Sequence, residues 1–299
     1  MKTTHLKIVS FVLLGVLAIG MSGCNRQGTV AIKKIGMVMS TLNNPYFVQM
    51  KNQAAKKAKE LGYDFVALDS QNDASKERSN VDDLLQQGVS AIIINPTDSD
   101  AVGSAIIAAN NKKVPIITVD RGANSGEVAC QITSDNVKGG EMAAEFIVEK
   151  LGGKGKIVEI TGIPGASATN DRGNGFKTVI DKNPNLKIVA SQSGNFDRQK
   201  ALDVMQNVMQ STPEFDAVFA QNDEMVVGVS KALKGKKVLI IGFDGATDAV
   251  NLVKSCDITA TIAQQPILIS DMAVENVIKI IKGESVEKDI KVPVKLFTK

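Results

Sequence analysis

Short apolar runs of mostly four or five residues alternate with longer amphipathic segments along most of the chain. The runs are rich in Val and Ile and are continuous, which is typical of strands buried on both faces of a parallel sheet. The segments between them, such as ERSNVDDLLQQG and QKALDVMQNVMQ, have the spacing of amphipathic helices. The pattern therefore predicts an α/β protein. The predicted strands are 35–39, 65–68, 91–94, 116–119, 157–160, 188–190, 217–219 and 238–241.

This strand and helix cadence occurs twice, once before about residue 133 and again after Gly155. The repetition predicts two similar lobes, each a parallel sheet flanked by helices. The glycine-rich turn at 152–155 has neither the P-loop spacing nor the GxGxxG spacing of dinucleotide sites. No phosphate site is therefore indicated, and we expect no cofactor.

The stretch STLNNPYF, residues 40–47, lies between a predicted strand and a segment rich in Lys and Ala. Asn44 is placed to cap a helix, and Pro45 suits the first helical position, where no donor is needed. We predict that this helix ends at Gly62. Capping leaves the adjacent aromatic residues Tyr46 and Phe47 unexplained, so we expect a binding site near them. The predicted apolar face of the helix consists of Phe47, Met50, Ala54, Ala58 and Leu61.

Nearly every predicted strand is followed by Asn, Asp, Arg or Gln. Ligands of open parallel sheets bind beyond the carboxyl ends of the strands, so these side chains are expected to meet in one crevice. Carboxylates, guanidinium groups and amides together suit the adjacent hydroxyl groups of a polyol, and flat aromatic rings suit the C–H faces of a sugar. The polar candidates are Asn44, Asn95, Asp120, Arg121, Arg172, Asn222, Asp244 and Gln264, and the aromatic ones are Tyr46, Phe47 and Phe196.

Each candidate also has a structural interpretation when it is taken singly. Asn and Asp after a strand often cap helices or form turns, which suits Asn95 before Pro96 and Asp223 after Asn222. Asp120 and Arg121 are consistent with a surface ion pair worth at most about 1 kcal/mol. Phe196 is equally consistent with a core position. The consistent chemistry of the whole set favours the binding site.

The N-terminal residues have the pattern of an export signal. Lys2 and Lys7 precede an apolar run over 8–20, which is shorter than the roughly 20 residues that a membrane span needs. The sequence MSGC at 21–24 resembles the lipobox of bacterial lipoproteins, which implies cleavage before Cys24 and acylation of its thiol. Several acyl chains would anchor the protein to the outer face of the cytoplasmic membrane. An ordinary secretory signal with an incidental cysteine is the alternative.

Composition then excludes several kinds of site from the mature chain. The only histidine, His5, lies in the predicted signal, so a Ser-His-Asp triad and a His-containing zinc site are excluded. Removing Lys2 and Lys7 leaves 33 basic residues against 32 acidic ones, a net charge of +1 that gives no basis for nucleic-acid binding. Cys130 and Cys256 lack metal-type spacing, and whether they pair stays open.

Several long motifs together resemble the D-ribose-binding proteins of bacterial ABC importers. The similarity covers the chain from about Ile35 to Lys299. The motifs that carry it are STLNNPYF, LDSQND, INPTDSDAVG, VDRGA, SDNVKGGEMAA, GIPGASATNDRGNGF, FDRQKALDVMQN, VFAQNDEM, IGFDG and ATIAQQP.

The resemblance implies a type I periplasmic-binding fold whose two lobes are joined by a three-segment hinge near 133–135, 264–266 and 292–294. The implied organisation is a signal peptide (1–23), a lipidated tether (24–30), an N-terminal lobe (31–134), a C-terminal lobe (135–264), a return to the N-terminal lobe (265–292) and a return to the C-terminal lobe (293–299). It also implies that the eleven candidates named above contact a monosaccharide, most simply D-ribose, with Tyr46 and Phe47 on the sugar ring. The implied partners of this exported monomer are an ABC permease and, as a further candidate, a chemoreceptor.

Other functions are consistent with parts of the sequence. The ligand of such a protein could be allose, xylose, galactose or the signal autoinducer-2. Asp120 and Asp244 could be the paired carboxylates of a glycosidase, but Arg121 and Arg172 are expected to favour their ionised forms, which suits hydrogen-bond acceptance better than general-acid catalysis. A sugar-responsive transcription regulator shares the two-lobed fold, but it needs a DNA-binding segment where this chain has an export signal. We therefore expect a binding protein and no enzyme activity.

Overall fold

Strands and helices alternate through residues 33–299, the part of the chain that the computed structural model describes. The predicted signal peptide, lipidated Cys24 and tether lie outside the described residues. In chain order the elements are β1 (Lys34–Met39), α1 (Pro45–Glu60), β2 (Asp64–Asp69), α2 (Ala74–Gln86), β3 (Ala91–Ile94), α3 (Gly103–Asn111), β4 (Ile116–Val119), β5 (Cys130–Ser134), α4 (Asn136–Leu151), β6 (Gly155–Thr161), α5 (Ser167–Ile180), β7 (Leu186–Ser193), α6 (Arg198–Ser211), β8 (Ala217–Ala220), α7 (Asp223–Ala232), β9 (Leu239–Asp244), α8 (Thr247–Ser255), β10 (Ala260–Ala263), α9 (Pro266–Ile281), β11 (Asp289–Val292) and β12 (Lys295–Thr298).

The strands form two six-stranded sheets with the same topology. The first has the order β11-β5-β4-β3-β1-β2, and the second has the order β12-β10-β9-β8-β6-β7. Neighbouring strands are parallel except for β12, which is antiparallel to β10. The predicted fold class, two parallel-sheet lobes flanked by helices, is therefore confirmed.

The chain passes between the two sheets at three places. It leaves the first sheet after β5 at Ser134 and leaves the second after β10 at Ala263. Helix α9 then packs on α1 and on strands of the first sheet. Strand β11 belongs to the first sheet, and β12 returns to the second across Pro293 and Val294.

All eight strands predicted from apolar runs are present, and four further strands were not among the predicted ones. One of these, β10 (ATIA), is mostly apolar, and the other three lack an apolar run. The sequences of β5, β11 and β12 are CQITS, DIKV and KLFT. Each mixes polar with apolar residues. Strands β11 and β12 each form one edge of a sheet and are covered less completely than a central strand. Strand β5, beside β11, is mostly buried in spite of its polar residues.

Helix α1 begins as predicted. The Asn44 side chain accepts a hydrogen bond from the Tyr46 N–H at 2.9 Å, and Pro45 occupies the first turn. Gly62 follows the helix with a φ of +80°, a left-handed conformation that suits glycine. Leu61, which we assigned to the apolar face, is instead 45% exposed, because it caps the helix end rather than continuing the buried stripe.

Each sheet is covered on both faces. Along β1, Met37 and Met39 enter one buried cluster with α1 and α9, whereas Val38 enters another with α2 and α3. The second sheet is likewise buried on two faces. This two-sided burial explains the continuous apolar runs, since every residue of a central strand meets a helix.

Two remaining features concern membranes and thiols. Among the helices of residues 33–299, none combines the length and the apolar character needed to cross a bilayer.

Cys130 is buried in β5, Cys256 is exposed after α8, and both are free thiols.

Candidate functional site

A small cavity lies between the carboxyl ends of the two sheets. The fold brings ten of the eleven predicted ligand residues to its wall, together with Ala168. The lining residues are Asn44, Tyr46, Phe47, Asp120, Arg121, Ala168, Arg172, Phe196, Asn222, Asp244 and Gln264.

Aromatic rings from both lobes frame the cavity and enclose a guanidinium group. The Arg121 guanidinium carbon lies 5.2 Å from the Phe47 ring centre and 5.1 Å from the Phe196 ring centre. Phe47 belongs to the first lobe and Phe196 precedes α6 of the second, so Arg121 is held between the lobes by cation–π contacts. The ring of Phe196 fits because residue 162 is glycine, where a Cβ atom would collide with it.

The two cavity asparagines each serve two purposes. Asn44 Oδ1 caps α1, and Asn222 Oδ1 caps α7 by accepting from the Met225 N–H at 2.9 Å. Each cap uses the amide oxygen, which leaves the Nδ2 donors available to a ligand. The capping and binding interpretations of these residues are therefore compatible.

Asn95 lies behind the cavity rather than in its wall. Its Nδ2 donates to Asp120 Oδ2 at 3.1 Å and to the Val119 carbonyl at 3.2 Å, and its Oδ1 accepts from the Ser40 N–H at 3.3 Å. Because these protein groups use both ends of the amide, Asn95 orients Asp120 instead of facing the cavity.

Three cavity residues have a left-handed backbone. Asp120, Phe196 and Asp244 have φ angles of +63°, +57° and +138°. Such angles cost of order 1–3 kcal/mol for a residue other than glycine and are concentrated at functional sites. These backbone conformations place the Asp120 and Asp244 carboxyl groups and the Phe196 ring in the cavity wall.

Arg172 projects from α5 into the centre of the site and is almost fully buried. Its Nη1 donates to the Gln221 carbonyl at 2.6 Å and its Nε donates to Asn136 Oδ1 at 2.9 Å. The guanidinium carbon lies 3.8 Å from the Phe243 ring centre, and Nη1 lies 3.9 Å from Asp244 Oδ1.

Arg172 favours the ionised form of Asp244, as expected, but it does not decide the pKa of this carboxyl group. Burial raises the pKa of Asp244 well above its usual range, the nearby Asp223 carboxyl raises that pKa further, and Arg172 only partly opposes the shift. Desolvation of the carboxylate outweighs one guanidinium at 3.9 Å. Gln264 Nε2 nevertheless donates to Asp244 Oδ1 at 2.7 Å.

Tyr46 and Gln264 connect the first lobe to the hinge. The Tyr46 hydroxyl lies 3.3 Å from Gln264 Oε1. Burial, followed by the charges of Asp120 and Asp244, raises the pKa of Tyr46, so the phenol stays protonated and can donate this bond.

The lobes also contact each other directly at the cavity rim. The Ser99 N–H donates to the Gly165 carbonyl at 2.9 Å, the Ser167 N–H donates to Ser99 Oγ at 3.1 Å, and the Gly122 N–H donates to Ser167 Oγ at 2.8 Å. Ser99 and Gly122 follow strands of the first sheet, whereas Ser167 begins α5 of the second lobe. The structure is therefore a closed conformation.

Comparison with known proteins agrees with this architecture. The family model for the periplasmic binding protein domain matches residues 35–285. The chain belongs to the periplasmic binding protein family. As a member of this family it is an extracytoplasmic solute-binding protein rather than an enzyme, and the family expected from the sequence motifs is confirmed.

Several relatives of this periplasmic binding protein are similar over nearly their whole length. The ribose import binding protein RbsB of Bacillus subtilis is 50% identical over 266 residues, which are 88% of this chain and 87% of the relative. RbsB of Haemophilus influenzae is 49% identical over 293 residues, 97% of this chain and 98% of the relative. Among solved structures, the Caulobacter myo-inositol binding protein bound to myo-inositol has a TM-score of 0.85 at 30% identity, covering 89% of this chain and 93% of that one.

Sequence reasoning missed several polar residues that hold the site from behind. Asn136 and Gln221 bind Arg172, and the carboxyls of Glu77 and Glu159 are buried beneath the two halves of the site. Glu77 lies on a helix and Glu159 inside a strand, so neither has the strand-end position that identified the others. Their signal in the sequence, a glutamate at a helix start or within an apolar run, is too common to be specific.

Glu77 gives a testable pH dependence of stability. Burial raises its pKa to about 7, while the Thr97 N–H and the Arg121 charge lower it and Asp98 raises it. The native protein therefore binds this proton more tightly than the unfolded chain does. Its contribution to stability is fully present below about pH 4.5 and is lost as the pH rises through about 7.

We expect Glu77→Gln to remove this contribution. The parent's free energy of unfolding should fall by up to roughly 3 kcal/mol more than the variant's between about pH 5 and about pH 8. Denaturant titrations of both proteins at the two pH values measure the difference. The same slope in parent and variant would contradict the assignment.

Proposed function

We propose that this protein is an extracytoplasmic lipoprotein that captures D-ribose between two closing lobes and delivers it to an ABC importer. The observation that supports this most strongly is the closed cavity, whose carboxylates, guanidinium groups, amides and aromatic rings come from both lobes. Each group suits a small polyhydroxylated ring, in which every hydroxyl both donates and accepts.

In this proposal Asp120 and Asp244 accept from sugar hydroxyls while Arg121 and Arg172 donate to them. The amides of Asn44, Asn222 and Gln264 do both, and the rings of Tyr46, Phe47 and Phe196 cover the apolar C–H faces of the sugar. Asn95 contributes by holding Asp120 in place.

The energetic requirement is moderate. A micromolar dissociation constant corresponds to about 8 kcal/mol. Spread over about ten non-hydrogen atoms of a pentose, this is below 1 kcal/mol per atom, and the best very small ligands reach about 1.5. Binding therefore needs no covalent step and no metal.

We propose that binding drives closure because contacts from both lobes exist together only in the closed state. The moving bodies are residues 31–134 with 265–292, and residues 135–264 with 293–299. The closed monomer is then the form that the permease accepts, and a chemoreceptor is a further candidate partner.

D-ribose is the first choice of ligand because the relatives at 50% and 49% identity are named as ribose import binding proteins. Allose, xylose, galactose and autoinducer-2 are the alternatives. A thermal-shift screen of these compounds tests the proposal, because a ligand that binds only the native form raises the melting temperature. We expect D-ribose to give the largest shift, and a larger shift with another compound would reassign the ligand. No shift with any of them would refute the monosaccharide proposal.

The lipid anchor is proposed from the sequence around Cys24. We expect Cys24→Ser to move the protein from the membrane fraction into the soluble fraction of an expressing bacterium, because no acyl chain can then be attached. Cys256→Ser is the matched control, since Cys256 is an exposed free thiol of the folded domain. Equal membrane retention of both variants would argue against the anchor.

A further inference from the structure

Two buried glutamates lie just outside the cavity, one in each lobe. Glu77 is in the first turn of α2 and has no exposed surface, and Glu159 is in β6 with 7% of its surface exposed. A buried carboxylate needs several kcal/mol of compensation from hydrogen bonds or charges. Their hydrogen-bond partners therefore indicate what these residues do.

In the first lobe, Glu77 holds the loop that follows β3. Its Oε2 accepts from the Thr97 N–H at 2.7 Å. The preceding residue, Pro96, has its carbonyl 3.1 Å from Arg121 Nη1, which donates to it. Glu77 thus fixes the peptide segment on which the Arg121 guanidinium rests.

In the second lobe, Glu159 holds the residue that follows β8. Its Oε1 accepts from Gln221 Nε2 at 2.9 Å, and its Oε2 accepts from Ser191 Oγ at 3.0 Å. The other end of this amide, Gln221 Oε1, accepts from the Gly162 N–H at 3.0 Å. The carbonyl of the same Gln221 accepts from Arg172 Nη1 at 2.6 Å.

The two arrangements occupy corresponding places in the fold. Strand β3 lies between β4 and β1 in its sheet, just as β8 lies between β9 and β6 in the other. A buried glutamate, from α2 in one lobe and from β6 in the other, holds a residue one to three positions beyond this strand's end. A backbone carbonyl of the same segment accepts from a cavity arginine. This repetition on two separate sheets is difficult to attribute to local packing alone.

We propose that Glu77 and Glu159 are positioning residues that fix the backbone carbonyls under Arg121 and Arg172 and thereby set the affinity for the sugar. The inference rests on the proposed function for its effect on binding. Neither glutamate touches the ligand. Each acts by holding one guanidinium so that its remaining N–H groups are aimed into the cavity.

The physical basis is the directionality of the guanidinium group. Arginine has five N–H donors in a rigid planar fork, so an anchor on one of them fixes the direction of the others. Binding geometry must be held within about 0.5 Å and 10–20° to be productive. A support made of a buried carboxylate and backbone groups restricts the arginine more than a solvent contact could.

Alanine and glutamine variants separate this role from simple folding. We expect Glu77→Ala and Glu159→Ala each to raise the sugar dissociation constant about tenfold, and the double variant about a hundredfold, because the two supports lie in different lobes. Glu77→Gln and Glu159→Gln keep an acceptor for the Thr97 N–H and the Gln221 Nε2–H, so we expect dissociation constants within about threefold of the parent. Glu149→Ala, a change at an exposed helix residue, is the control.

A second measurement needs no sugar. Arginine side-chain NMR signals of the ligand-free protein report the order of each guanidinium. We expect Glu77→Ala to shift or broaden the Arg121 Nε–H signal and leave that of Arg172, and Glu159→Ala to do the reverse. All titrations are made well below each variant's melting temperature, so that partial unfolding does not enter.

The outcomes separate the positioning role of the glutamates from the proposed sugar-binding function. A parent protein that binds no monosaccharide refutes the proposed function, while the NMR signals still test the positioning role. Alanine variants with parental affinity, or arginine signals that do not respond selectively by lobe, overturn the inference. Equal losses for the alanine and glutamine variants would also overturn it, because the acceptor would then not be what matters.

Discussion

Arg172→Ala is expected to weaken monosaccharide binding by at least about a hundredfold while the protein stays folded. Removing one partner so that a buried donor or acceptor is left without a hydrogen bond costs about 1–3 kcal/mol per group. Here Asp244, Asn136 and the Gln221 carbonyl would all lose a partner at the centre of the cavity. Isothermal titration calorimetry with D-ribose measures the loss, and circular dichroism checks the fold.

Arg198→Ala is the matched control for this experiment. Arg198 also pairs with two carboxylates, Glu224 at 2.9 Å and Asp248 at 3.1 Å, but its side chain is 44% exposed and lies outside the cavity wall. Exposed ion pairs contribute little, so its affinity should stay within about twofold of the parent. An Arg172→Ala protein with parental affinity would remove Arg172 from the binding site.

Gly165→Leu is expected to block closure and to weaken binding by about a hundredfold. A Cβ atom on residue 165 would collide with the Asp98 side chain of the opposite lobe. The same residue accepts the Ser99 N–H across the cleft, so the two backbones approach closely here. Crowding a packed contact costs about 1–3 kcal/mol. Because the lobes meet at residue 165 only in the closed state, the substitution destabilises that state alone. The apparent affinity then falls in proportion to the population of the closed state.

Small-angle scattering distinguishes blocked closure from a damaged lobe. The parent should become more compact on addition of D-ribose, and the Gly165→Leu protein should not. Thr178→Leu places the same side chain at an exposed position of α5, the helix that begins two residues after Gly165, and should behave like the parent. Normal compaction and parental affinity in the Gly165→Leu protein would refute the two-lobed clamp at this contact.

The strands that the sequence predicts well are those buried on both faces. Four-residue apolar runs such as AIII in β3 and IITV in β4 indicate central strands of a sheet that is covered on both faces. The edge strands β11 and β12 have mixed polar and apolar sequences, because partly covered strands do not require a continuous apolar run. Their sheet membership depends on contacts far away in the chain.

The candidate site was largely predictable because strand ends are local features. Asp120, Asn222 and Asp244 each end or follow an apolar run, and the topology of parallel sheets brings such ends to one edge. The supporting residues were not predictable in this way. Glu77 contacts Thr97 and Glu159 contacts Gln221 through folds of the chain that no local pattern specifies.

By itself, therefore, the sequence determined the two-lobed α/β architecture, the family and the polar and aromatic residues around the cavity. It could do so because apolar periodicity and the residue types at strand ends are patterns of neighbouring positions in the chain. Only the tertiary structure decided that Asn95 supports Asp120 from behind and that burial outweighs Arg172 in setting the pKa of Asp244. It also decided that Glu77 and Glu159 hydrogen-bond the segments whose carbonyls accept from Arg121 and Arg172. These properties depend on distances between remote segments and on the desolvation that their packing produces.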